Sequence, residues 1–185
     1  QWVKKPVYLL LALVLFGLWL AYENLLGRPA MTYMGLPEVE SGVASQGWSH
    51  VLRNEGYMLE YSEQLANPLW VVYKVTDRAF DSGKRPRGFS SDRRTLANVN
   101  HKDYSRSGYS RGHMAPNYAM SRFHGRAAQQ ASFRMSNIVP QQGRLNQKLW
   151  QRLEEIEADV YAAGPRSLWV VMGPVFEGAD QRLDS

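Results

Sequence analysis

The sequence contains no cysteine, and this absence excludes disulfide scaffolds, thiolate zinc sites, iron–sulfur clusters and thiol catalysis while leaving the compartment open. Charged residues make up only 21% of the chain, and 15 glycines with 9 prolines are too few for a collagen or a low-complexity chain. The apolar share of 44% in 185 residues is enough for one globular domain with a core, and too little for two ordinary domains.

Acidic residues are scarce in one stretch, and the net positive charge of this stretch exceeds that of the whole chain. The whole chain has a net charge of +5, whereas residues 84–126 contain ten basic residues against two acids. Aromatic and histidine side chains are interleaved with the basic ones, a mixture that suits a phosphate backbone and its bases. A solvated face or a contact with anionic lipid is the alternative. We predict that Arg85, Arg122 and Arg126 contact nucleic acid.

The N-terminus contains the one long apolar run. Lys4 and Lys5 precede residues 6–22, which carry no charge and would span roughly 26 Å as a helix. Trp19 and Tyr22 lie near its end, where amphipathic rings favour the headgroup region. The preceding lysines place the N-terminus in the cytoplasm and the rest of the chain outside it, in the periplasm or the extracellular space.

A cleaved signal peptide is the rival interpretation of this run, and the protein would then be secreted. The sequence lacks a convincing small-x-small cleavage site, since Ala21 has Trp19 two residues before it. We therefore predict a membrane anchor over residues 1–26, a tether over residues 27–47 that is rich in glycine and proline, and one domain over residues 48–185.

Within the domain, two apolar runs predict strands and one periodic run predicts a helix. Residues 69–75 and 167–172 are rich in β-branched and aromatic residues and are typical of buried strands. Residues 144–163 show helical periodicity, and Gly164-Pro165 ends the pattern. We expect the apolar face of this helix to be buried; it consists of Leu145, Leu149, Leu153, Ile156 and Val160. Strands at both ends and a helix before the last one predict an α+β domain.

One short motif combines a candidate base with a candidate phosphate ligand. Residues 108–118 are GYSRGHMAPNY, in which His113 follows Arg111 and Gly112 on a predicted tight turn. Neutral histidine is suited to activating water near neutral pH. Arginine presents a fork of donors that matches a phosphate. Arg-Gly-His by itself is more often a surface turn, so a functional interpretation of this motif needs further motifs in the sequence.

A second block, SNIVPQQGRLNQKLWQRLEE at residues 136–155, follows the first. GYSRGHMAP, SNIVPQ and LNQKLWQRLE in this order resemble the DNA/RNA non-specific endonuclease family over roughly residues 50–178. The resemblance implies a mixed or antiparallel sheet core with a ββα-metal site. It also implies magnesium-dependent hydrolysis of phosphodiester bonds in DNA and RNA without sequence preference, with manganese or calcium as alternative ions.

By position in these motifs, the resemblance makes His113 the general base and Asn146 the magnesium ligand. It makes Glu154 the acid that holds the water around the ion. Helical geometry agrees, because positions 146 and 154 lie two turns apart and about 80° around the axis, so that both can face one cleft. Magnesium keeps most of its waters, and one amide oxygen with a nearby carboxylate can suffice to hold it.

The resemblance also assigns supporting roles. Arg111 matches the arginine of the family's Asp-Arg-Gly-His motif, and Asn137 matches an asparagine near the metal. The family places a further arginine upstream, next to an aromatic residue, on the scissile phosphate. Arg87 fits this position best, and Arg85 is the second candidate.

The sequence departs from the family pattern at two places. Ser110 stands where the family has aspartate, and serine supplies no negative charge near the ion or the arginine. The chain also stops at Ser185, where family members usually continue with further strands and a helix. These departures motivate an alternative, a catalytically impaired nucleic-acid-binding protein. A structural envelope protein whose basic face meets anionic lipid is the third hypothesis.

Overall fold

A computed structural model describes residues 5–38, 47–77, 79–161 and 167–176 of the chain. The chain divides into two compact units, residues 1–36 and residues 37–185. The proposed tether overlaps both units, and its residues 39–46 lie outside the described ranges.

The first unit is helical and apolar. Helix α1 covers Lys5–Tyr22 and continues into a wider helical turn at Glu23–Gly27 and a 3₁₀ turn at Pro29–Met31. The span Pro6–Met31 has a mean hydropathy of 2.0 in its most apolar window, of which 6% is buried. By length and composition this helix can cross a membrane, and a signal sequence has the same properties. The apolar helix predicted from the sequence is therefore present.

The second unit is built on a four-stranded antiparallel sheet. Its strands in the spatial order β1-β2-β3-β6 are Ser49–Arg53, Tyr57–Ser62, Asn67–Val75 and Leu168–Met172. Strand β3 contains the predicted strand 69–75, and its apolar side chains are buried, as expected for β-branched and aromatic residues. Strand β6 matches the predicted strand 167–172 but is half-buried rather than buried. It pairs with β3 alone among the described strands.

A second, two-stranded sheet lies beside the first and leads into the helices. Strand β4, Tyr109–His113, pairs antiparallel with strand β5, Ile138–Gln142. Between them lie α2 at Asn117–Ala119, a wider helical turn at Met120–His124 and α3 at Gly125–Ala131. After β5 a continuous helical stretch, which we call the long helix, runs through Leu145–Trp150, α4 at Gln151–Ile156 and Glu157–Tyr161. The prediction of an α+β fold with antiparallel sheets is confirmed.

The long helix agrees with the predicted helix 144–163 over residues 145–161, and residues 162–166 lie outside the described ranges. The prediction that its apolar face is buried is wrong for most of its length. Leu149 is 68% exposed and Val160 is 63% exposed. The helix instead turns a neighbouring face to the sheet, where Ala158 is 1% exposed and Glu157 accepts a 2.9 Å hydrogen bond from the hydroxyl of Tyr73. Periodicity defines an apolar face, but the packing partners decide which face is covered.

A buried ionic network holds the irregular segment after β3 against the core. Asp92 is 4% exposed, and its carboxylate accepts hydrogen bonds from Arg94 Nη2 at 2.6 Å and Ser136 Oγ at 2.7 Å. Burial opposes ionisation, but the hydrogen bonds from Arg94 and Ser136 outweigh it and lower the pKa of Asp92 to about 2. Arg94 and Arg134 both donate to the side chain of Asn54, at 2.7 and 2.6 Å. The network therefore joins the end of β1, the segment around residue 92 and the turn before β5.

We predict that Asp92→Asn lowers the free energy of unfolding by about 1.5 kcal/mol, because the buried amide loses the charge-assisted hydrogen bonds from Arg94 and Ser136 while Arg94, 36% exposed, stays partly solvated. Urea denaturation followed by tryptophan fluorescence measures the change. Asp77→Asn, at an exposed aspartate, is the matched control and should stay within about 0.5 kcal/mol of the parent. Equal stability of Asp92→Asn and the control would contradict the proposed contribution of the network.

Candidate active site

His113 ends strand β4 and lies in an aromatic surrounding. Its ring centroid is 5.5 Å from that of Phe89 and 4.9 Å from that of Phe133. The side chain is buried, and its Nε2 atom has no hydrogen-bond partner among the described residues. Burial, with a smaller contribution from the charge of Arg85, lowers the pKa of His113 to about 3. The imidazole is therefore neutral at pH 7, and its unpaired Nε2 is shielded from solvent.

Asn137 fixes the chain immediately after His113. Its side-chain Oδ1 accepts from Ala115 N at 2.8 Å, and its Nδ2 donates to the carbonyls of Ala115 at 3.0 Å and Ser132 at 2.9 Å. Its own carbonyl accepts from Met114 N at 2.9 Å. The side chain is completely buried, so these bonds occupy both ends of the amide. Asn137 thus supports the site through the backbone, and its side chain does not line the cavity beside His113.

One cavity of about 590 Å³ brings the two halves of the predicted site together. His113 and Arg111 line it from β4, Asn146 and Glu154 line it from the long helix, and Arg85 lines it from the segment after β3. Burial and the neighbouring carboxylate of Glu157 raise the pKa of Glu154 to about 7. The imidazole and the carboxamide, 33 positions apart in the sequence, therefore face one space, with arginines on one side and carboxylates on the other.

Of the two upstream arginines, only Arg85 lines this cavity. The Arg85 guanidinium lies 5.2 Å from the ring centroid of Phe133, which also packs against His113. Arg87 is exposed and does not line the cavity. Two contacts hold Arg111. Its Nε donates a hydrogen bond to the carbonyl of His101 at 3.0 Å, and its guanidinium carbon lies 5.9 Å from the ring centroid of Phe89. The geometry therefore favours Arg85 over Arg87 as the phosphate ligand.

The other two arginines predicted to bind nucleic acid have partners within the protein. Arg122 forms an ion pair with Asp159 of the long helix. Arg126 donates to Gln129 Oε1 at 2.7 Å and to the backbone carbonyl of Lys84. Neither side chain lines the cavity. The contact with Lys84 helps to position the segment that carries Arg85.

Ser110 lies away from the cavity. Side chains alternate along a strand, so Arg111 and His113 share one face of β4 while Ser110 points to the other. Its cross-strand partner in β5 is Gln141, and its hydroxyl points towards Gly143. Ser110 therefore does not line the cavity, and its supporting role stays a prediction.

The oxygen donors of the cavity fit a hydrated magnesium ion. The amide oxygen of Asn146 and the carboxylate of Glu154 are the hard ligands that magnesium prefers. Within the described ranges, no group of three or more His, Asp or Glu residues could hold a metal. This arrangement fits a divalent ion that keeps most of its waters and takes few protein ligands.

Comparison with known proteins identifies the family. The sequence model of the DNA/RNA non-specific endonuclease family matches residues 37–184, and the chain belongs to this family. It is 31% identical over 147 residues to the mitochondrial nuclease EXOG of Danio rerio, covering 77% of the chain and 40% of the relative. It is 29% identical over 134 residues to human mitochondrial endonuclease G, covering 70% and 44%.

A bacterial relative and a solved structure agree with this assignment. The chain is 28% identical over 129 residues to a nuclease of Nostoc sp., covering 68% of the chain and 46% of the relative. A crystal structure of an EndoG/EndoGI complex, which concerns EndoG inhibition, superposes with a TM-score of 0.63 at 28% identity, covering 71% of the chain and 55% of that protein. The chain spans about half the length of these relatives or less.

The sequence motifs did not identify two pairs of residues at the site. Phe89 and Phe133, which enclose His113, come from segments 24 residues before it and 20 after it. Asn117 and Tyr118 also line the cavity. These two lie inside the quoted motif, at four and five residues after His113, and this closeness in the sequence was the available signal.

The lowered pKa of His113 predicts how stability depends on pH. Unfolded histidine binds a proton near pH 6.5, whereas folded His113 does so only near pH 3, so the unfolded state takes up more protons between these values. His113 should therefore cost the folded state about 2 kcal/mol when pH falls from 7 to 5. His113→Asn, which cannot titrate, should lose correspondingly less stability over this interval in urea denaturation.

His101→Asn, at an exposed histidine, is the matched control and should keep the parent's pH dependence. If His113→Asn and the parent lose equal stability from pH 7 to pH 5, His113 is not held neutral by its surroundings.

Proposed function

We propose that this chain hydrolyses phosphodiester bonds of DNA and RNA as a sequence-non-specific endonuclease that depends on a divalent metal ion. The single observation that supports this most is the shared cavity of His113 and Asn146, which also contains Arg85 and Arg111. A base, a candidate ion ligand and two cations facing one space form the minimal set for hydrolysing a phosphate diester.

His113 acts as the general base in this proposal. Its ring is neutral at pH 7 and lines the cavity, where it would accept the proton of a water that attacks phosphorus in line. Phe89 and Phe133 restrict the orientation of the ring. Hydrogen bonds between Asn137 and residues 114 and 115 fix the backbone that follows His113.

Arg85 and Arg111 neutralise the non-bridging oxygens of the phosphate and orient it. Both guanidinium groups pack on aromatic rings, so little freedom is lost when the phosphate binds. Contacts to phosphate carry no information about base sequence, and cleavage is therefore sequence-tolerant.

Asn146 would hold the divalent ion, and Glu154 would hold water around it. When bound, the ion supplies electrostatic stabilisation of charge on the phosphoryl and leaving oxygens. The raised pKa of Glu154 reflects a buried carboxylate without a fully compensating positive charge, which a bound cation would provide. Magnesium is the proposed ion, and manganese and calcium are the alternatives to compare.

The assay uses the full chain purified in a mild detergent, with plasmid DNA and single-stranded RNA, in magnesium or in EDTA. We predict magnesium-dependent degradation of both substrates, which His113→Ala reduces by a factor of about 10² to 10⁴. Asn146→Ala should abolish or nearly abolish cleavage while DNA binding stays largely intact. His101→Ala, whose exposed ring does not line the cavity, should cleave like the parent.

Salt-sensitive binding without cleavage would identify a catalytically impaired nucleic-acid-binding protein, and absence of binding would favour the envelope protein. Cleavage that persists in Asn146→Ala would remove this residue from the metal site.

We propose further that α1 anchors the chain in a membrane with the nuclease unit outside the cytoplasm. The apolar helix and the lysines that precede residue 6 support this topology. We predict that the protein remains in the membrane fraction after a carbonate wash and that protease added outside the cytoplasm degrades the nuclease unit. Recovery of a shortened, soluble protein would instead show that the segment is a cleaved signal peptide.

A further inference from the structure

Among the described residues, two side chains with rings line this cavity: the imidazole of His113 and the phenol of Tyr118. It lies on α2, five residues after His113, and 37% of its surface is exposed. The remaining lining is charged or carries side-chain amides. An aromatic surface left partly open in such a cavity can contact the apolar face of a bound molecule.

The ring of Tyr118 is held in place from two sides. Its hydroxyl donates to Asp159 Oδ1 at 3.0 Å, which connects it to the long helix. The guanidinium of Arg122 lies 5.6 Å from the ring centroid and donates to the hydroxyl and to Asp159. The contact of Arg122 with the ring face does not need the hydroxyl, so the ring stays ordered without it and little conformational freedom is lost when another ring stacks on it.

We infer that Tyr118 forms a stacking subsite for a nucleobase next to the scissile phosphate. This inference rests on the proposed function, because Arg85, Arg111 and His113 place the reacting phosphate in the same cavity. A nucleotide bound through its phosphate presents its base within the reach of the cavity wall. Every base has a π face, so stacking adds affinity without sequence preference, as a non-specific nuclease requires.

A purely structural role for Tyr118 is the competing explanation. The bond from its hydroxyl to Asp159 joins α2 to the long helix, and this joint could set the width of the cavity. The two roles depend on different atoms. Stacking needs the ring, whereas the joint needs the hydroxyl.

The experiment compares Tyr118→Phe and Tyr118→Leu in the full chain, with Tyr109→Leu as matched control. Tyr109 is also an exposed tyrosine, 47% exposed, and does not line this cavity. The substrates are a single-stranded DNA oligonucleotide and the same oligonucleotide with tetrahydrofuran abasic units on both sides of one central phosphate. Product length reports cleavage at that bond.

Tyr118→Leu should lower kcat/KM at the central bond of the base-containing oligonucleotide about tenfold, mainly by raising KM. It should leave cleavage at the abasic position within about twofold of the parent enzyme. Tyr118→Phe and Tyr109→Leu should match the parent on both substrates. An equal loss on both substrates, or a Phe variant as impaired as the Leu variant, would overturn the stacking subsite in favour of the structural joint.

A binding measurement separates this inference from the proposed function. In the His113→Ala background, fluorescence anisotropy gives the affinity for both oligonucleotides without cleavage. Tyr118→Leu should weaken binding of the base-containing oligonucleotide about tenfold and leave the abasic one unchanged. If the parent cleaves neither substrate, the hydrolytic function fails while the binding data still decide the subsite. Equal affinities with and without Tyr118 would overturn the subsite even if the parent is an active nuclease.

Discussion

The carboxamide of Asn137 is the contact on which the site depends, because it ties the chain after His113 to the turn that leads into β5. Its two ends bond backbone groups of Ala115 and Ser132 in a fully buried environment. Loss of these bonds would leave several buried polar groups without partners. The position of the imidazole, and hence the use of every other group in the cavity, follows from this connection between residues 22 positions apart.

The ionisable groups that line the cavity lie in different surroundings, and their pKa values shift in opposite directions. His113 is neutral because aromatic rings and a nearby cation disfavour its charged form, while Glu154 binds a proton more readily because it is buried near another carboxylate. Opposite shifts in one cavity are the pattern by which a protein assigns different roles to its titratable groups. Both shifts favour the neutral form of the group, and a cation bound nearby would favour the ionised form of Glu154.

The basic residues between positions 84 and 126 include some that hold segments of the protein together and others that line the cavity. The amino-acid composition of this stretch does not distinguish the two groups. Arg94 neutralises the buried Asp92, and Arg126 bonds the carbonyl of Lys84, so both hold the segment that precedes or follows Arg85. Arg85 and Arg111 alone among the described arginines reach the cavity. A local excess of positive charge therefore overstates the number of residues available for nucleic acid.

The sequence by itself determined the features that depend on local order: the apolar run of α1, the strand at 69–75, and the motifs that carry His113, Asn146 and Glu154. Helical and strand geometry follow from the spacing of residues along the chain, so the order and spacing of residues suffice to assign these features. Only the tertiary structure decided that Arg85 rather than Arg87 lines the cavity, that Tyr118 joins it, and that the leucine face of the long helix stays largely exposed. These outcomes depend on contacts between segments far apart in the chain, and no local pattern of residues specifies which segments will meet.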